Sequence, residues 1–155
     1  ALLSWYLIAE ATIITENPKN AIEIASQALE IAQNPRINNT FFIIMLKILI
    51  ARANIELSDY ETAKISIESS IILAKKYSMN NLLSKIYFIY GKYYQDLGTV
   101  HSQKQAEYLK GAAKMYDKAM ALVCEKTRNT YLRNLIDEHK KSLMSYCQVN
   151  GFEIN

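Results

Sequence analysis

Mostly apolar residues recur at intervals of three and four along the whole chain, as in Ile22, Ala25, Ala28, Leu29 and Ala32 or Leu132, Leu135, Ile136, His139 and Leu143. That spacing marks one face of an α-helix and does not fit a strand, whose period is two. Only four glycines and two prolines occur in 155 residues, too few to build the turns of a β protein. With half of the residues apolar and a formal net charge of only +3, the chain is also no disordered tail. Helix caps punctuate the pattern. Asn17 precedes Pro18, an N-cap ahead of a proline at the first helical position. Ser58 to Glu61 reads S-D-Y-E, a capping box, while Asn39, Thr40, Asn80, Thr99 and Thr127 are weaker starts and Gly98 is suited to end a helix. The reading predicts seven helices, over about 2–15, 18–33, 38–57, 59–77, 80–97, 100–124 and 127–149.

Short connections make consecutive helices antiparallel, so the chain is a string of helical hairpins. Three of them align. Trp5, Ile8, Ala9 and Thr12 are followed by Ala21, Ala25 and Ala28; Lys47, Ile50, Ala51 and Asn54 by Ala63 and Ile67; Tyr87, Tyr90, Gly91 and Tyr94 by Ala112, Tyr116 and Ala119. Twelve residues separate Ala9 from Ala21 and Ala51 from Ala63, whereas 21 separate Gly91 from Ala112, with extra residues from about His101 to Lys110 that prolong the sixth helix at its start. The small position repeats after 42 and then 40 residues. Over about residues 2–124 the chain resembles the tetratricopeptide-repeat family, particularly the long-helix variants of bacterial signalling and transcription regulators. The resemblance implies an all-α, right-handed α-α superhelix, one helical domain with repeats at about 2–35, 38–77 and 80–124 and a cap helix at 127–149. Lys47, Thr12 and Asn54 depart from the aromatic positions of the family pattern. An irregular helical bundle, or a HEAT-type solenoid with units of similar length, is the alternative.

The cap helix carries Arg128, Arg133, Asp137, Glu138, Lys140 and Lys141 on its polar side, and Leu132, Leu135, Ile136, Leu143 and Met144 on the side expected to be buried. The third helix, with Phe41 to Leu46 and Ile48 to Ile50, is apolar all round and is expected at the centre of the array. The first residue, Ala1, lies in a helical pattern without an initiator Met, so the chain reads as part of a longer protein. A cytoplasmic setting is expected: the longest apolar stretch, Thr40 to Ala53, is broken by Lys47 and Arg52 and is too short to span a bilayer, and Cys124 and Cys147 read as core fillers.

No enzyme is expected. His101 and His139 stand far apart, no H-E-x-x-H, G-x-S-x-G or phosphate-cradling glycine motif occurs, and neither cofactor nor metal is implied. Residues 101–149 hold nine basic against five acidic side chains, but these are scattered around the helices without a nucleic-acid signature, so direct nucleic-acid binding is not expected either. The family resemblance points instead to a concave groove lined by the first helix of each pair. It selects Tyr6, Glu10 and Ile13, then Met45, Ile48, Arg52 and Ile55, then Phe88, Lys92 and Gln95. An apolar floor with Arg52 and Lys92 to receive carboxylates suits a peptide or protein partner. The same pattern would serve a regulatory domain of a larger signalling protein that senses a peptide or small ligand. A homodimer through the last helix or Phe41 and Phe42 is a further possibility.

Overall fold

The computed structural model describes residues 2–126 and 129–154. Most of those residues are helical, with no strand among them: α1 (Leu2–Ile14), α2 (Pro18–Gln33), α3 (Thr40–Glu56), α4 (Tyr60–Lys76), α5 (Asn80–Val100), α6 (Gln105–Lys126) and α7 (Thr130–Asn150), with a 3-10 turn at Ser102–Lys104. The chain divides into two compact units, Ala1–Tyr77 and Ser78–Asn155.

Unit 1 is a duplication with a period of 42. Leu7-Ile8-Ala9-Glu10-Ala11-Thr12-Ile13 returns as Leu49-Ile50-Ala51-Arg52-Ala53-Asn54-Ile55, five of seven residues unchanged. The local hydrogen bonding is duplicated too. Thr12 Oγ1 donates to the Ile8 carbonyl at 2.7 Å and Asn54 Nδ2 to the Ile50 carbonyl at 3.0 Å. Both first helices end in a Schellman turn, in which the Asn17 N–H reaches the Thr12 carbonyl and the Asp59 N–H reaches the Asn54 carbonyl. The residue before each cap, Glu16 or Ser58, is left-handed with φ of 63° or 59°. Asn17 then accepts from the Asn20 N–H and Asp59 from the Thr62 N–H. The cap of α4 is thus Asp59, not Ser58: the Schellman turn claims Ser58 for its left-handed position, one residue too early to cap.

Packing follows the same period. α2 lies against both α1 and α3, α3 against α4, and α1 touches α3, whereas α2 and α4 do not meet. The alanines permit the approach: Ala9, Ala21, Ala25, Ala28, Ala32, Ala51 and Ala63 are fully buried. One cluster joins Ala9, then Ala25, Ala28 and Ala32, then Ile43, Leu46, Leu49 and Ile50. α3 is the sandwiched helix its all-round hydrophobicity predicts, with nine buried residues. Lys47 replaces an aromatic by packing its stem and reaching α4, where Nζ donates to Ser69 Oγ at 3.0 Å; burial lowers the pKa of this amine.

In unit 2, α5 and α6 make the most extensive interface, α7 packs on α6, and α7 also touches α5. Glycines set the distance between α5 and α6. A methyl group at Gly91 would overlap the Tyr116 ring, one at Gly98 would lie 3.1 Å from Leu109, and one at Gly111 would lie 3.2 Å from Tyr94. Gly98 therefore does not end α5, which runs on to Val100; it is a buried contact point inside the helix. Thr99 is likewise helical, its hydroxyl bonded to the Asp96 carbonyl. Between Gly98 and Ala112 come the end of α5, the 3-10 turn and the first turns of α6, so the extra residues lengthen the sixth helix only in part. Met79, not Asn80, occupies the cap position of α5 and makes no side-chain cap bond. Thr127 and Arg128 lie outside the described residues; the cap of α7 is Asn129, which accepts from the Leu132 N–H at 3.0 Å.

Candidate functional site

In unit 1, α1 and α3 run side by side and bring Tyr6, Glu10 and Arg52 together. Glu10 and Arg52 occupy the same repeat position, 42 residues apart, and the two helices that carry them touch. Their charges are opposite: Arg52 Nη1 lies 3.3 Å from Glu10 Oε1, and both side chains are about a third exposed, at 32% each. Such a half-open pair contributes less than about 1 kcal/mol to stability. A guanidinium has further donors beyond this one contact. Tyr6, one turn before Glu10, bonds to the same carboxylate. Burial raises its pKa from 10.0 to about 12, with the negative charge of Glu10 adding to the rise and Arg52 opposing it. Met45 and Ile48 lie two turns and one turn before Arg52 on α3, respectively, and are half-buried. Ile13 is half-buried and Ile55 buried, so Ile55 belongs to the core.

The Tyr6 shift has a consequence for stability. The folded-state phenol holds its proton to higher pH than the unfolded chain does. The stability it confers is complete below pH 10.0 and declines as pH rises towards about 12. Alkaline titration followed by phenolate absorbance should show Tyr6→Phe removing one late-ionising tyrosine. Glu10→Gln should bring that tyrosine down towards the ordinary range. A titration unaltered by both variants would contradict the cluster.

In unit 2, Phe88, Lys92 and Gln95 share one face of α5, but they are not equally accessible. Phe88 is 6% exposed: its ring meets His139 of α7 edge-on at 5.0 Å and Tyr116 of α6 at 5.9 Å. Lys92 Nζ stands 6.0 Å from the Phe88 ring centre, a cation–π arrangement. Gln95 Oε1 accepts from the Tyr116 hydroxyl at 2.7 Å. Tyr116 itself is fully buried and its pKa is raised by burial. Sequence reasoning placed Tyr116 in the repeat and His139 on α7 without linking either to this face. The signal for His139 was its place on the Leu132, Ile136 and Leu143 stripe, which is the buried side of α7.

A concavity of unit 2, about 460 Å³, is lined by Lys110, Ala113 and Lys114 of α6, by Lys140 and Met144 of α7, and by Ile154; Lys140 closes on Asp117. Part of the scattered C-terminal basic surplus is gathered there, at spacings of one helical turn on α6. Met144, expected in the buried stripe, is 43% exposed. The chain matches no protein-family model and no curated protein. Among the described residues, no three His, Cys, Asp or Glu side chains converge as a metal site would require, and no helix is long and apolar enough to cross a membrane. Cys147 is buried, and burial raises its thiol pKa, but Cys124 is exposed, so the core-filler role applies to Cys147 alone.

Proposed function

We propose that this chain is a protein-interaction module: a tetratricopeptide-like array of helical hairpins whose first helices present a concave, right-handed surface to a peptide or protein segment. The observation that carries the reading is the 42-residue duplication, in which α1 touches α3 while α2 and α4 stay apart. In that layout the two first helices of unit 1 touch, and their polar positions, Glu10 and Arg52, pair while each stays about a third exposed. In unit 1 the partner would meet Tyr6, Met45 and Ile48 as apolar ground, with the remaining donors of Arg52 for a carboxylate. In unit 2 it would meet Lys92 and Gln95, with Phe88 as their packed support.

A random peptide library displayed on phage and selected on the full chain tests the proposal. Enriched peptides should carry an acidic residue or free C-terminus beside an aliphatic or aromatic side chain. Their affinity should fall at least tenfold on Arg52→Glu/Lys92→Glu, the size of losing about one charge-assisted hydrogen bond at each site. Both positions are half-open and neither is buried, so circular dichroism should stay native. Absence of enrichment, or equal affinity for the variant, would refute the groove.

A further inference from the structure

The duplication gives every residue of α1 a counterpart on α3, and the counterparts differ in one respect: what covers them. Leu49 is 1% exposed and Ile50 8%, whereas Leu7 is 53% exposed and Ile8 55%. Ala53 is fully buried and its counterpart Ala11 is exposed. Residue types are identical at all three positions, and the helix, its terminal turn and its side-chain hydrogen bonds are repeated, so local sequence cannot account for the contrast. The difference is that α3 has a hairpin packed on that face. Leu49 and Ile50 share one buried cluster with Ala9 of α1 and with Ala25, Ala28 and Ala32 of α2. α1 also carries a single charged residue, Glu10, and that one points to α3. A helix apolar on both sides is one built to be enclosed.

We infer that Leu7, Ile8 and Ala11 form a docking face for a further helical hairpin of the α1–α2 kind, whose second helix presents small residues at the spacing of Ala25, Ala28 and Ala32. The occupant follows from continuity with the existing interface. Leucine, isoleucine and alanine at these positions already select an alanine-lined helix once in this chain, and the same three side chains on the same helical face offer the same relief. This inference is independent of the groove and of any ligand.

The test fuses a copy of residues 1–42 directly ahead of Ala1 of the full chain, which preserves the 42-residue register through the Asn39 cap. Amide hydrogen exchange in α1 should slow by about tenfold or more, the order expected for covering half of a leucine and half of an isoleucine. Leu7→Glu/Ile8→Glu should leave the exchange of α3 in the unfused chain unchanged, because both residues are more than half exposed, and should abolish the slowing in the fusion. Exchange in α1 that is unaffected by the added hairpin, or slowed equally in the double variant, would overturn the inference. So would sedimentation showing that the unfused chain dimerises and that Leu7→Glu/Ile8→Glu makes it monomeric, since the face would then belong to a second copy.

Discussion

Replacing Tyr116 by alanine should destabilise unit 2 by about 3–5 kcal/mol, the cost of emptying a fully enclosed aromatic site. The ring is completely buried, packs on Phe88, and ends in a hydrogen bond to Gln95. Its space exists because residue 91 has no side chain: a methyl group there would overlap the ring. In the native background, then, Gly91→Ala should cost about 1–2 kcal/mol, since an overpacking cost of about 1–3 kcal/mol outweighs the gain of up to about 1 kcal/mol that alanine brings to a helix interior. In the Tyr116→Ala background the sign should reverse. The obstruction is gone, the helix-propensity gain survives, and the added methyl fills part of the void. Urea denaturation of the four proteins closes the cycle, with an expected coupling of about 2–3 kcal/mol. Equal effects of Gly91→Ala in both backgrounds would show that the ring is not what requires the glycine.

The second large effect compares one residue type at one repeat position. Leu49→Ala should cost about 3 kcal/mol, within the range for a buried leucine. Leu7→Ala should cost well under about 1 kcal/mol, because its side chain is 53% exposed and truncation leaves no closed cavity. Both substitutions sit in an L-I-A-x-A-x-I segment of an α-helix, so helix propensity cancels between them. The difference isolates tertiary cover, and equal costs would mean that Leu7 is buried in solution.

Much of the architecture was legible in the residues. The three-and-four spacing placed the helices to within about three residues except at the start of α6, which comes five residues later, and the match of Ala9 to Ala51 carried the period that the hydrogen bonds of unit 1 repeat. Where the reading slipped, two local signals competed. Ser58 and Asp59 can both cap a helix, and the Schellman turn ending α3 decided between them. Gly98 has the chemistry of a helix end, but in the interior of α5 its value is the absence of a side chain opposite Leu109. Phe88 and Lys92 share a helical face, yet α7 buries the first and leaves the second half-open.

The sequence by itself determined the elements: where helices begin, where they turn, and which small residues allow close approach, because these depend on backbone hydrogen bonding and side-chain volume within a few residues of one another. Tertiary structure alone decided the environment of each element. Leu7 and Leu49 are the same residue in nearly the same segment, one in solvent and one in the core. Glu10 and Arg52 became partners only when α1 was laid beside α3. Burial and electrostatic pairing are properties of what lies across the gap between helices, and no window of local sequence contains the other side.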